Sequence, residues 1–475
     1  MSNARLKFAI AAALAGGFLS ACAVGPDFQR PDAPSVDRYT DTAPARVANV
    51  PPQELRLGTA VPNEWWRMLR STTLDATIQE AIAHNQTIEA ARANVRQAQA
   101  LVAARTGLRY PELDLSAGIG RQKIGAQFLG SFPAPPPFTY YAFGPAVSYT
   151  LDFFGGVSRS IEQQRALAEY QLRQAQAAQL TVSGNVVLQA IEIAAKRAEI
   201  ATAEAIVEED RRNVEMIQAT FEAGTVGRVE VLSAQTQLTR DLAVLPPLRQ
   251  ELAVARHALA VLVGRAPASG TPDDFELTSF TLPAELPVDV PSELVHRRPD
   301  ILAAEAQLHA ATAAVGIATA NLYPQLTLTA SFSQESLDTS TLFDAKSQAW
   351  TMISRLTAPI FDGGRLRGER QAAVEALAVQ AARYRQTVLE SFGQVANALD
   401  GIQHTAEALA AETEALRVAQ ENLELARESF NEGYANALQV LDAERLYQQA
   451  RLGHVRAEAQ RLRNTAQLYI ALGGS

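Results

Sequence analysis

An internal duplication constrains the fold of this chain more than any other feature of its sequence. A set of residues recurs in the same order about 210 positions later, and the matched pairs are Tyr110-Pro111 with Tyr323-Pro324, Gly155-Gly156 with Gly363-Gly364, Phe221 with Phe430, Gly224 with Gly433, Val231-Leu232 with Val440-Leu441, and Gly264 with Gly473. Repetition at a fixed separation indicates that one structural unit occurs twice. We therefore expect two copies of one fold, 74–264 and 295–475, joined by a proline-rich linker at 265–294.

Each copy is predicted to run helix, strand, strand, very long helix, second helix. The opening helices are expected at 74–107 and 297–321, the second beginning with Pro299 and Asp300 as helix starts often do. The long helices should begin after each Gly-Gly pair and continue to about 222 and 431, since neither stretch contains proline. In the second stretch an apolar residue recurs every seven positions, a pattern typical of left-handed supercoiling, at Ile402, Leu409, Leu416, Leu423 and Phe430.

Glycine and proline residues mark the predicted ends and interruptions of these helices. Gly224 and Gly433 are expected to end the long helices as left-handed caps. The chain should then return in helices at about 228–264 and 436–472. Pro246 and Pro247 are expected to break the first of these, because proline cannot donate a backbone hydrogen bond. The segment 22–73 is expected to be largely extended.

Alternating side chains after each Tyr-Pro pair predict strands. Leu326, Leu328 and Ala330 alternate with threonines and serines, and Val147, Tyr149 and Leu151 alternate in the same way in the partner strand. Four strands of about ten residues have the length of membrane-spanning strands. Spanning strands must close into a barrel, and the smallest barrels have about eight strands. One chain therefore cannot close its own barrel and must oligomerise, with a copy number that this argument leaves open.

The N-terminus has the pattern of an export signal. Arg5 and Lys7 precede an apolar stretch too short to span a bilayer, and small residues follow up to Cys22. Residues 1–21 are therefore expected to be a signal peptide. The sequence Leu19-Ser20-Ala21-Cys22 resembles a bacterial lipobox, which predicts a lipid on Cys22 at the mature N-terminus; the alternative is an incidental cysteine. Cys22 is the only cysteine, so an intrachain disulfide is excluded.

Charge and motif content argue against two broad classes of protein. The net charge is −9, and nucleic acid is not expected as a partner because phosphate binding needs a clustered basic surface. The six histidines show no paired metal-ligand spacing, and the sequence has no phosphate loop or nucleophile elbow. We therefore expect a protein that is not an enzyme and has no cofactor apart from the lipid on Cys22.

Several further motifs carry a resemblance to one family. They are Cys22-Ala23-Val24-Gly25-Pro26-Asp27-Phe28, Trp65-Trp66, Arg297-Arg298-Pro299-Asp300-Ile301 and Phe361-Asp362-Gly363-Gly364. The chain resembles the TolC-like outer-membrane efflux proteins, in particular the OprM/NodT lipoprotein branch. This resemblance implies a mostly α-helical fold with a membrane β-barrel, in which a homotrimer forms twelve strands and a twelve-helix periplasmic tunnel. It also implies an inner-membrane RND transporter and a periplasmic adaptor as partners, with the chain as a passive outlet for small toxic compounds.

The resemblance also implies roles for residues at the two turns that end the long helices. Glu230 and Asp442 match acidic residues that line a periplasmic gate; the alternative is that acids near a helix start stabilise the helix dipole. Gln439 and Ala435 depart from the family archetype, which has an acid and a basic residue there. The adaptor is expected to dock on Gly224, Thr225, Val226, Arg228, Gly433, Tyr434 and Asn436.

Two other functions stay open on the sequence alone. A duct for type I protein secretion would use the same fold with protein cargo. A structural envelope lipoprotein would share the long helices but would not need alternating strands of membrane length.

Overall fold

A computed structural model describes residues 23–40, 53–125, 136–270 and 274–474. The predicted signal peptide and Cys22 lie outside these ranges. The described helices are α1 Thr72–His84, α2 Gln86–Gly107, α3 Gly156–Glu222, α4 Arg228–Leu262, α5 Pro291–Leu294, α6 Pro299–Ala320, α7 Arg365–Asn431 and α8 Ala437–Ala471. The described strands are β1 Glu54–Leu57, β2 Glu112–Gln122, β3 Phe138–Leu151, β4 Glu285–Val288, β5 Gln325–Ser336 and β6 Gln348–Thr357.

The chain divides into two compact units that interleave along the sequence. The first unit takes its described residues from Met1–Arg30, Val95–Tyr170 and Ala304–Tyr384. The second takes them from Pro31–Asn94, Gln171–Ala303 and Arg385–Ser475. Both units therefore contain residues from the two sequence repeats.

The first unit contains a four-stranded antiparallel sheet with the order β2-β3-β5-β6. Its strands confirm the predicted alternation, with lengths from 10 to 14 residues. The register aligns Leu113, Val147, Ala330 and Met352 in one row across the four strands. The adjacent row contains Asp114, Ala146, Ser331 and Thr351. Because successive side chains of a strand point to opposite faces, one face of the sheet is apolar and the other is largely polar.

The second unit is held by a helical core with aromatic residues at its centre. Trp65 and Tyr469 are both fully buried, and their ring centroids are 5.5 Å apart. Ile402, from the predicted heptad of α7, belongs to this core, and Leu409, one heptad further along the helix, is buried as well. The long helices α3 and α7 each contain 67 residues and end at Glu222 and Asn431, as the sequence predicts.

The first opening helix is interrupted, contrary to the prediction of one helix over 74–107. Asn85 separates α1 from α2 with extended backbone, φ −69° and ψ 126°. Its side-chain oxygen accepts hydrogen bonds from the backbone N–H of Thr87 and Ile88, and its amide donates to the carbonyl oxygen of Leu262 at 2.8 Å. Asn85 therefore starts α2 and ties it to the end of α4, because short amide side chains compete well with helical backbone bonds.

The predicted break at Pro246 and Pro247 is wrong, because α4 is continuous from Arg228 to Leu262 with both prolines inside it. A proline inside a helix costs about 3 kcal/mol or more. The flanking residues Leu245 and Leu248 are buried in a cluster that includes Val207 of α3. Burying a leucine side chain contributes about 1.5–3 kcal/mol, so packing against α3 offsets much of this cost.

The linker 265–294 and the extended N-terminal segment contain a small sheet that the sequence did not reveal. Strand β1 pairs in parallel with β4, and Leu286 and Val288 of β4 are fully buried. Two short strands, one of them with a proline, are too brief to show a clear alternation.

Helix α6 is, within the described residues, long and apolar enough to cross a membrane by length and composition. However, 56% of its apolar window is buried inside the structure. A core helix of a soluble protein meets the same criterion, so this helix alone does not indicate a membrane span.

Candidate functional site at the paired helical turns

The two turns that end α3 and α7, residues 222–228 and 431–437, are called here the tip turns. Each is closed by the same hydrogen-bond pattern. Gly224 has φ 78° and donates to Phe221, while Thr225 donates to Thr220. Gly433 has φ 82° and donates to Phe430, while Tyr434 donates to Ser429. This pair of bonds is the Schellman motif, which requires a left-handed residue and therefore favours glycine.

Several residues predicted for adaptor docking have structural roles in these turns. Thr225 donates its hydroxyl to the carbonyl oxygen of Thr220 at 2.9 Å, and Val226 packs against Ile217 and Val231. Asn436 caps α8: its side chain accepts from the backbone N–H of Gln439 at 3.0 Å. These contacts leave Tyr434, which is 85% exposed, and the exposed Arg228 as the more accessible members of the predicted docking set.

Gln439 replaces the acid of the resembled family and has a clear local function. Its side-chain oxygen accepts a hydrogen bond from the backbone N–H of Asn436 at 2.9 Å. Together with the reciprocal bond from Asn436 this forms a capping box. The amide therefore stabilises the start of α8 without adding charge.

The two predicted gate residues have different surroundings. Asp442 is exposed and forms an ion pair with Arg445, one turn further along α8, at 2.7 Å. Glu230 is half-buried in the first turn of α4. Its carboxylate oxygen lies 2.9 Å from the position that a Cβ on Gly227 would occupy, so it lies over the start of the helix. That location suits stabilisation of the helix dipole, and both gate assignments stay predictions.

Asp442 lines an open groove between α4 and α8 with a volume of about 490 Å³. Ser233, the repeat counterpart of Asp442, lines it as well, whereas Glu230 does not. The groove also contains residues that the sequence reasoning missed, namely Val229, Leu232, Thr236, Gln237, Arg240, Leu438, Leu441 and Arg445. Their spacing of three or four residues along each helix places them on one face and could have identified them. The groove thus combines exposed apolar side chains with one acid and two arginines.

The N-terminal segment is anchored in the first unit. Arg159 of α3 has a side chain only 5% exposed and forms ion pairs with Asp27 at 2.6 Å and Glu162 at 2.8 Å. Its Nε donates to the carbonyl oxygen of Val24 at 3.3 Å. The ring of Phe28 stacks on His309 with centroids 4.4 Å apart. These contacts fix the residues immediately after Cys22, the predicted lipid attachment site.

Within the described ranges, no group of three or more histidine, cysteine or acidic side chains is arranged to hold a metal ion. Of the two predicted gate acids, Asp442 is paired with Arg445.

The described residues thus form a mostly helical fold with two helical hairpins closed by Schellman turns and a four-stranded antiparallel sheet. Comparison with known proteins identifies the family: the chain belongs to the outer membrane efflux proteins, whose family model matches residues 77–265 and 290–474.

Individual relatives match over most of their length. The chain is 30% identical over 418 residues to the pyoverdine export outer membrane protein OpmQ of Pseudomonas aeruginosa, covering 86% of this chain and 87% of the relative. It is 28% identical to the cation efflux system protein CusC of Escherichia coli K12, covering 99% and 98%. The structure also matches that of the outer-membrane channel OprN with a TM-score of 0.86 and 27% identity, over 96% of this chain and 99% of that one. The chain is therefore an outer-membrane efflux protein.

Proposed function

We propose that this chain is the outer-membrane exit channel of a tripartite RND-type efflux pump, in which three copies close a twelve-stranded barrel and a twelve-helix tunnel. The single observation that carries the proposal is the four-stranded sheet with two unlike faces. The two members of its apolar row on the edge strands are exposed in the single chain: Leu113 is 70% exposed and Met352 is 78% exposed. An apolar outer face with a polar inner face is the pattern of a membrane barrel.

The edges of this sheet support the need for further copies. Strands β2 and β6 are the outer strands of the order β2-β3-β5-β6. An open strand edge leaves unpaired N–H and C=O groups, which lipid cannot satisfy. Pairing of β2 in one copy with β6 of the next removes both edges and joins the sheets into a closed barrel.

The proposed partners follow from the family and from the tip turns. An RND transporter would supply the substrate and the energy, and a periplasmic adaptor would dock on the tip turns, with Tyr434 and Arg228 as exposed contacts. The relatives are named for pyoverdine export and for cation efflux; the substrate here would be a small toxic compound. A lipid on Cys22 would anchor the N-terminal segment in the outer membrane, with export directed by residues 1–21.

A pair of arginine substitutions tests the proposal on adjacent residues of β6. Met352→Arg places a charge in the apolar row, which costs about 2–4 kcal/mol in the middle of a bilayer. Thr351→Arg places the same charge in the polar row and serves as the matched control. Met352→Arg should lower the amount of assembled outer-membrane oligomer on semi-native gels, while Thr351→Arg should leave it near the wild-type amount. Equal assembly of the two variants would show that the apolar face does not contact lipid.

A further inference from the structure

Two aromatic side chains at one end of the four-stranded sheet pack on each other within a single chain. Phe154 follows β3, and Tyr323 precedes β5. Their rings stack with centroids 4.6 Å apart and an angle of 19° between the ring planes. The register places Leu151, the last residue of β3, opposite Leu326 of β5. The stack therefore lies where the chain leaves the sheet for α3 and enters it again from α6.

The internal duplication supplies the same two elements a second time. Tyr110 precedes β2 as Tyr323 precedes β5, and Phe361 follows β6 as Phe154 follows β3. However, β2 and β6 are the opposite edges of the sheet. Three strand spacings, about 14 Å in total, separate them. Tyr110 is accordingly 70% exposed in the single chain, and the second pair of aromatic residues does not stack as the first pair does.

The connection from β6 to α7 is uncovered in the single chain. Phe361 is 92% exposed, and its neighbour Ile360 is 96% exposed. A Cβ on Gly363 would meet no described atom within 4 Å, whereas a Cβ on Gly155, its repeat counterpart, would lie 2.6 Å from Ala23 of the N-terminal segment. Because adjacent exposed apolar side chains mark surfaces that bind a partner, this connection is a candidate contact.

The aromatic residue of each connection is not needed to start the following helix. A carboxylate does this: Asp152 accepts hydrogen bonds from backbone N–H groups in the first turn of α3, and Asp362 does the same at the start of α7. Phe154 follows its acid in the chain, whereas Phe361 precedes its own. Each connection therefore contains one capping acid and one aromatic residue that remains available for packing.

Strand direction brings the second pair together across two copies. Neighbouring strands are antiparallel throughout the sheet, so β6 runs opposite to β2. When β6 of one copy pairs with β2 of the next, the end of β6 lies beside the start of β2. Phe361 lies four residues after the end of β6, and Tyr110 lies two residues before the start of β2. The corresponding spacings of the stacked pair are three residues for Phe154 and two for Tyr323.

We propose that Phe361 of each copy packs on Tyr110 of the next copy, so that the junction between copies repeats the Phe154–Tyr323 junction within the chain. This inference rests on the proposed three-copy channel and adds to it a contact outside the barrel strands. Aromatic rings attract each other at centroid distances of about 4.5–7 Å. Lipid is the competing environment for Phe361. The repeat favours the protein contact, because Phe154 is half-buried and stacked on Tyr323.

Cross-linking tests this contact in the full-length outer-membrane protein. The variant with both Phe361→Cys and Tyr110→Cys is treated with a short bismaleimide, and the products are separated on denaturing gels. We expect dimer and trimer bands that require both substitutions. Each single variant should remain monomeric, which also controls for Cys22. The pair Phe154→Cys and Tyr323→Cys is the matched positive control, since it should react within one chain and give a monomer carrying one cross-linker by intact mass.

Native mass spectrometry of the wild-type protein separates this contact from the proposed channel. A wild-type trimer whose Phe361→Cys, Tyr110→Cys variant gives no dimer band, while the control pair reacts, would overturn the contact and place Phe361 against lipid. The channel would then still stand. A wild-type monomer would overturn the channel and the contact together.

Substitutions without cysteine decide the question if the cysteine variants do not assemble. Phe361→Ala should lower the temperature at which the trimer dissociates on semi-native gels, whereas Phe361→Tyr keeps the ring and should match the wild type. Tyr110→Ala should cause a similar loss, and the two alanine substitutions together should cause little more, because both remove one contact. Leu337→Ala removes an exposed side chain at the other end of the sheet and should have no effect. Additive losses, or an unchanged temperature for Phe361→Ala, would overturn the contact.

Discussion

Substituting Gly25 with alanine should release the N-terminal segment from the first unit. Gly25 has φ 93°, and a non-glycine residue there costs about 1–2 kcal/mol. A Cβ on Gly25 would also lie 2.5 Å from the Cα of Gly316. That atom belongs to the backbone of α6 and cannot rotate away, so the segment itself must move.

The movement separates the segment from Arg159. A hydrogen bond to a charged group contributes about 1.5–3 kcal/mol. The bond to the carbonyl oxygen of Val24 is on this scale, whereas the Asp27 carboxylate is 87% exposed and its contribution is smaller. Backbone strain and lost contacts together destabilise the bound segment by about 3–4 kcal/mol. Its backbone amides should therefore exchange hydrogen with solvent roughly 100-fold faster or more.

Hydrogen exchange of the Val24 amide measures this directly, since it donates to the carbonyl oxygen of Phe154 at 3.1 Å. Gly58→Ala is the matched control: its φ is 78° and no atom lies within 4 Å of the added Cβ. The Gly58→Ala substitution should destabilise its own loop by about 1–2 kcal/mol and leave the exchange rate of the Val24 amide unchanged. If the Val24 amide exchanges in the Gly25→Ala variant at the same rate as in the wild type, the close approach of Gly25 to Gly316 does not hold the segment in place.

Three further predictions concern the second unit. Asp442→Ala should reduce the cation selectivity of single channels if three copies of Asp442 form a charged ring. Unchanged selectivity would contradict the gate assignment. Asp442→Asn removes the charge but keeps the size of the side chain, so it shows which of the two determines selectivity. Tyr434→Ala should weaken adaptor binding by about 1–2 kcal/mol in calorimetry, whereas Thr225→Ser, which keeps the turn-closing hydroxyl, should leave it unchanged; equal affinities would remove Tyr434 from the interface. Asp210→Asn should stabilise the fold relative to the wild type by at most about 4 kcal/mol at about pH 8 and by little at about pH 3.5, because burial raises the pKa of Asp210 from 3.8 to about 7. Thermal unfolding of both proteins at the two pH values measures this, and a larger stabilisation in acid would contradict the burial of an ionisable Asp210.

Much of the architecture could be predicted because its signals are periodic or repeated. The alternation at Leu326, Leu328 and Ala330 identifies β5 within a few residues, since a strand with one polar and one apolar face must alternate. Gly224 and Gly433 mark the ends of α3 and α7 because the Schellman motif requires a left-handed residue.

The errors occur where tertiary contacts override local preference. Pro246 and Pro247 stay in a helix because Leu245 and Leu248 are buried against α3, which no property of the local sequence shows. Asn85 breaks a helix because the carbonyl oxygen of Leu262, distant in sequence, accepts its amide.

The candidate site could be located from sequence but not resolved in detail. The repeat register placed Ser233 and Asp442 at equivalent positions, and both line the groove between α4 and α8. The partner of Asp442, Arg445, follows one turn later and was predictable from helical spacing. The burial of Asp210, which is 3% exposed, was not predictable, because only the packing around α3 excludes water from its carboxyl group.

An electron cryomicroscopy structure of the detergent-extracted outer-membrane protein would show directly whether three copies form a channel. We expect a threefold particle in which β2 of each copy pairs with β6 of the next to form twelve strands, with the row containing Leu113 and Met352 facing the detergent. A monomer with β2 and β6 unpaired, or an oligomer that buries this apolar row inside, would contradict it.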